Sequence, residues 1–83
     1  MQPVYSNVAA KTINGMDRST KKRIKEGIEK LPDGDVKPLR GYKDKSLRLR
    51  IGDYRVIFRY ELDDNGIRYP FISEIDNRGD IYK

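Results

Sequence analysis

Leu47-Arg48-Leu49-Arg50-Ile51-Gly52-Asp53-Tyr54-Arg55-Val56-Ile57-Phe58 consists of two alternating runs joined by a turn. Side chains of a strand point alternately to opposite faces, so Leu47, Leu49 and Ile51 share one side and Arg48 and Arg50 the other. Gly52-Asp53 fits a two-residue hairpin turn with glycine at the first central position, where a positive φ costs little. That turn sets Ile51 opposite Tyr54, Arg50 opposite Arg55, Leu49 opposite Val56, Arg48 opposite Ile57 and Leu47 opposite Phe58. One face of the hairpin is then expected to be core and the other cationic. Like charges directly across a ladder cost roughly a few tenths to 1 kcal/mol, so the Arg50/Arg55 pair is not explained by fold stability. A bound phosphate would explain it. Any one of these arginines alone reads as a solvated side chain snorkelling over apolar neighbours, whereas the set points to a polyanion.

Outward from the hairpin, Asp63-Asp64-Asn65-Gly66 predicts a second turn, between a strand ending near Leu62 and one running from Ile67 to about Asp76. Pro70 lacks a ladder donor and calls for an unpaired edge or a bulge in that last strand. Toward the N-terminus, Pro3 to Tyr5 reads as a short edge strand. Ser6 or Asn7 then caps a short helix whose apolar face is Val8, Ala9, Thr12, Ile13 and Met16 and which stops at Gly15. Asp17 suits the N-cap of a second helix with Ile24, Ile28 and Leu31 facing the core, ended by Leu31-Pro32. Lys21-Lys22-Arg23 is most economically its solvated face. Pro32 to Pro38 reads as a linker that returns Leu39 and Tyr42 to the sheet. Two short antiparallel helices followed by strands indicate an α+β layer structure.

At 83 residues the chain, residues 1–83, is expected to form one domain around a thin core. Charged residues make up 37% of it and the mean hydropathy is −0.85, yet the apolar residues fall in periodic runs, which favours a folded protein over a disordered one. It has no cysteine and no histidine, which removes disulfides, thiol nucleophiles, the usual zinc sites and every histidine-based acid–base mechanism. No metal or cofactor is expected. The N-terminus lacks the pattern of a secretory leader and no run approaches the ~20 apolar residues of a membrane span, so a cytoplasmic location is expected. A net charge of +5 argues for an acidic partner, nucleic acid or protein.

The order helix, helix, Lys37-Pro38-Leu39-Arg40-Gly41-Tyr42, then the Leu47–Phe58 hairpin and a closing Arg78-Gly79-Asp80-Ile81-Tyr82 resembles the RelE/ParE superfamily of bacterial toxins. The resemblance covers almost the whole chain, and its sharpest element is the hairpin RLRIGDYRVIF. It implies a compact α+β domain with an N-terminal helical hairpin on a curved, mainly antiparallel sheet. The RelE branch cuts messenger RNA in the ribosomal A site by attack of the ribose 2′-hydroxyl on the adjacent phosphate. The ParE branch poisons DNA gyrase.

By resemblance, the site residues fall on Arg48, Arg50, Arg55, Arg78 and Tyr82. Arginine presents a planar fork of donors that matches non-bridging phosphate oxygens and stays protonated at cellular pH. In the absence of histidine, Tyr82 is the expected base at the 2′-hydroxyl, its phenol acidified by neighbouring arginines, and its ring could also stack on a base. Arg78 or Arg55 would stabilise the phosphorane, with a cation or a ribosomal group protonating the leaving 5′-oxygen. Many relatives close with glycine-histidine-arginine where this chain has Asp76-Asn77-Arg78, and asparagine cannot exchange a proton. Asp76 or Asp80 beside the site would repel RNA unless paired with an arginine; Asp80 is expected to pair with Arg78 or Arg55.

The resemblance leaves three functions open. The favoured one is a metal-independent, ribosome-dependent endoribonuclease that inhibits translation. The others are a gyrase inhibitor and an inactive relative that only binds its antitoxin. The expected partners are a cognate acidic antitoxin and the ribosome with its A-site mRNA, with no membrane; the free chain is expected to be monomeric.

Overall fold

In the computed structural model of the chain, the described residues are 2–39 and 45–77. They form β1 (Val4–Tyr5), α1 (Asn7–Asn14), α2 (Arg18–Glu29), β2 (Asp35–Pro38), β3 (Leu47–Ile51), β4 (Tyr54–Leu62) and β5 (Arg68–Asn77). The strands make one sheet in the order β1-β5-β4-β3-β2, antiparallel except for the β1/β5 pair. Both helices contribute to a core on one side of this sheet, made of Ala9, Ile13, Ile24, Ile28, Leu31, Leu49, Val56, Phe58, Ile72 and Ile75.

Each helix begins where its cap chemistry dictates. The Ser6 hydroxyl accepts from the backbone N–H of Ala9 at 3.0 Å, and an Asp17 carboxylate oxygen accepts from the N–H of Thr20 at 3.2 Å. Val8, expected on the apolar face of α1, is 61% exposed; Ala9 and Ile13 are that helix's buried residues. In α2, Gly27 answers a packing constraint, because a methyl there would come within 2.5 Å of Ile51 Cδ1. The glycine gives up roughly 1 kcal/mol of helix propensity to let α2 approach the end of β3.

The β3–β4 hairpin has the register expected from its turn, from Leu47 opposite Phe58 to Ile51 opposite Tyr54. Gly52 has φ 58° and Asp53 a negative φ, the pattern of a type II′ turn. The second hairpin closes through a longer loop: the Gly66 N–H donates to the Asp63 carbonyl at 2.9 Å and Gly66 has φ 78°. The Asp63 side chain accepts from the N–H groups of Asn65 and Ile67 at 2.9 and 2.8 Å.

Two expectations are corrected. The segment Pro32–Pro38 is not all linker, because Asp35–Pro38 pairs with β3 as an edge strand, Asp35 opposite Arg50 and Lys37 opposite Arg48. Its proline ends a short edge strand, where a missing donor is tolerated. The last strand does contain a bulge, but at Ser73: Ile57 pairs with Glu74 and Phe58 with Ile72. The extra residue reverses the alternation of β5, so Ile75 on one side of it and Ile72 and Pro70 on the other are all buried. Pro70 itself lies opposite Tyr60, beyond the two β5 residues that β1 pairs, Phe71 and Ile72.

Candidate functional site

The face of the sheet opposite the helices collects the charged residues. Register and alternation place Asp35, Arg50, Arg55 and Asp76 in one row across β2, β3, β4 and β5, and Lys37, Arg48, Ile57 and Glu74 in the next. Arg59 and Glu61 continue β4 on this face, with Phe71 opposite Arg59. Ile57 is buried, although it lies outside the core cluster, flanked in its row by Arg48 and Glu74. The first row thus sets cations in the middle strands between carboxylates on the flanking ones, with Ile57 buried beside them in the second.

Of the expected site residues, the sheet brings Arg48, Arg50 and Arg55 together, whereas Arg78 and Tyr82 lie outside the described residues, as does Asp80. The described arginines are anchored to different degrees. Arg55 reaches across the strand pair, its Nη2 3.5 Å from Asp76 Oδ2, and its side chain is only 19% exposed. Its Nε is buried and has no hydrogen-bond partner among the described residues. Arg48 is 15% exposed and places Nη2 3.6 Å from Asp35 Oδ1, a diagonal contact between neighbouring rows. Arg50 is exposed, and its Nε donates to the Gly52 carbonyl at 3.5 Å, within its own turn. Arg59 pairs with Glu61 two residues along its strand and holds its guanidinium carbon 4.7 Å from the centre of the Phe71 ring.

The purely cationic face expected from the hairpin alone is therefore corrected. Asp35 and Asp76 flank the Arg50/Arg55 pair in its own row, and Glu74 ends the row of Arg48. The repulsion within the pair is offset inside the chain and does not of itself require an anion. Partly exposed ion pairs of this length contribute about 0–1 kcal/mol each, so they set side-chain positions more than they stabilise the fold.

Sequence reasoning missed Asp35, Lys37 and Arg59 and did not settle the partner of Arg55. The alternation Asp35-Val36-Lys37 carries the signal for the first two, and Arg59 follows Arg55 and Ile57 at period two. The Arg55–Asp76 pairing depends on the register between β4 and β5, which the hairpin motif does not contain. Lys21, Lys22 and Arg23 lie on α2, with Lys22 and Arg23 exposed, and do not join the sheet-face cluster. Among the described residues there is no group of acidic side chains placed to hold a metal ion, and no helix is long and apolar enough to cross a membrane.

The fold is that of proteins already seen in complexes. A chain of the RelB-RelE antitoxin–toxin complex from Methanococcus jannaschii superposes with a TM-score of 0.67 at 22% identity, covering 95% of this chain and 94% of that one. A chain of the toxin–antitoxin complex RelBE2 from Mycobacterium tuberculosis superposes with a TM-score of 0.71 at 21% identity, covering 93% and 96%. At such identities the likeness is one of fold. No protein-family model matches the sequence, and neither does any curated protein.

Proposed function

We propose that the chain, as one domain of residues 1–83, is the toxin of a type II toxin–antitoxin pair and acts as a ribosome-dependent, metal-independent mRNA endonuclease of the RelE kind. The observation that carries this reading is the fold likeness over nearly the whole chain to chains of toxin–antitoxin complexes. The gathering of Arg48, Arg50 and Arg55 on one sheet face favours RNA over gyrase as the target, since a protein-directed poison has no need of a phosphate-binding cluster.

In this reading Arg48 and Arg50 position the backbone of the A-site codon, and Arg55, with Arg78, stabilises the charge that builds on the phosphorane as the 2′-oxygen attacks. Donors already in place at the site of developing charge lower the barrier because they need no reorganisation during the reaction. Tyr82, as its phenolate, takes the proton from the 2′-hydroxyl, and the P–O5′ bond breaks as a cation or a ribosomal group protonates the leaving 5′-oxygen. An acidic antitoxin would neutralise the same face, and the net charge of +5 speeds that encounter in a salt-dependent way. The free toxin is a monomer located in the cytoplasm.

Induced expression in bacteria tests the reading. The wild type is expected to stop incorporation of labelled methionine while thymidine incorporation continues for a time, and Arg55→Ala to restore growth with the protein still folded. Early arrest of thymidine incorporation would instead indicate a gyrase poison, and unimpaired growth an inactive relative.

A further inference from the structure

The placement of Asp76 relative to Arg55 leads beyond the binding of a phosphate to its control. A guanidinium can grip an oxyanion in two bidentate ways, through Nε with Nη2 or through Nη1 with Nη2, and Nη2 is common to both. Asp76 Oδ2 sits 3.5 Å from that nitrogen, while Arg55 Nε is buried and unpartnered among the described residues. Nη2 carries two N–H donors, one in each fork, so the carboxylate at Nη2 withholds one fork from an incoming phosphate and sets a negative charge beside the other. Asp76 occupies the cross-strand position directly opposite Arg55, so the contact follows from the ladder itself.

We infer that Asp76 is a positioning residue that acts as a built-in competitor for phosphate at Arg55, lowering the affinity of the arginine face for free RNA so that productive binding requires a substrate presented in a fixed geometry. This rests on the proposed nuclease reading for its biological meaning, although the competition itself does not. Two physical effects work together. A unit negative charge beside the incoming phosphate repels it, and the pair withholds a donor that the phosphate would otherwise use. The buried Nε, unpartnered among the described residues, is a donor that Asp76 does not use. Asp35 plays no equivalent part at Arg55, since its contact is with Arg48.

The test measures the affinity of the whole chain for a short fluorescein-labelled oligouridylate by anisotropy across a salt series. The chains compared are wild type, Asp76→Asn, Asp76→Ser, Arg55→Ala and the Arg55→Ala/Asp76→Asn double variant, each checked for folding by circular dichroism. Both Asp76 variants are expected to bind roughly tenfold more tightly than wild type at low salt. Their log-affinity against log-salt slope is expected to steepen by up to about 0.7, the value of one added phosphate contact on a single strand. Arg55→Ala combined with Asp76→Asn is expected to abolish the gain. Destabilisation alone would not raise affinity or steepen the slope. Equal or weaker binding by the Asp76 variants, a gain that survives Arg55→Ala, or loss of the fold in both Asp76 variants would overturn the inference. Cutting of ribosome-bound messenger, assayed separately, reports on the nuclease reading: tighter binding without any cutting would leave the competitor standing and remove the enzyme.

Discussion

Tyr82 and Arg55 carry the chemistry proposed here in different ways, and single substitutions separate them. Tyr82→Phe keeps the ring and removes the proton acceptor, so single-turnover cleavage on the ribosome is expected to fall by about 10²–10⁴-fold, the usual worth of a general base. An unchanged rate would leave only stacking for that ring. Asp17 shows how a residue remote from the sheet face enters the pH response. Hydrogen bonds from Thr20 and Ser19 hold its carboxyl down to about 2, below an ordinary value of 3.8. A depressed carboxyl contributes stability that is fully present above the ordinary value and is lost as pH falls through the folded value. The melting temperature of the wild type is therefore expected to drop between pH 4 and pH 2 more steeply than that of Asp17→Asn, as followed by circular dichroism; parallel curves would show that the cap is not linked to folding. At this scale the sequence made the arginines legible, because Arg48, Arg50 and Arg55 share the period of their strands. It did not reveal what each arginine touches: Arg55 meets Asp76 from a strand whose register is set elsewhere.

Elements with a strong period and a clear punctuation mark could be read in advance. The β3–β4 hairpin has both, and so do the two helices, whose caps Ser6 and Asp17 stand where the apolar period begins. Strand β2 has only Val36 turned toward the core, too little for a hydrophobic pattern, and it is held by pairing with β3 rather than by burial. The bulge at Ser73 was illegible for a related reason: on one strand, a reversal of alternation looks like noise until the partner is known. In the structure it is pinned from two sides. The Ser73 hydroxyl donates to the Ile57 carbonyl at 3.1 Å, and the Ser6 hydroxyl donates to the Ser73 carbonyl at 2.8 Å while capping α1. Ser6→Ala removes the cap and this second bond together, so a loss of about 1–2 kcal/mol is expected in urea unfolding. A loss no larger than that of an exposed surface serine would show that water replaces both contacts.

For the molecule as a whole, the helices and the site residues Arg48, Arg50 and Arg55 occupy opposite faces of one sheet, so the core and the proposed site are built from alternate residues of the same strands. Leu49 and Val56 hold the core while Arg50 and Arg55, their neighbours in sequence, face the other way. A one-residue slip in register would exchange the two sets, which ties the integrity of the site to that of the fold. The most direct test of the account adds the purified chain to ribosomes stalled on a defined messenger, with the same RNA free of ribosomes as control, and maps cuts by primer extension. Cuts confined to the A-site codon, absent from naked RNA and lost in Arg55→Ala, are predicted. No cutting by folded protein would contradict the account.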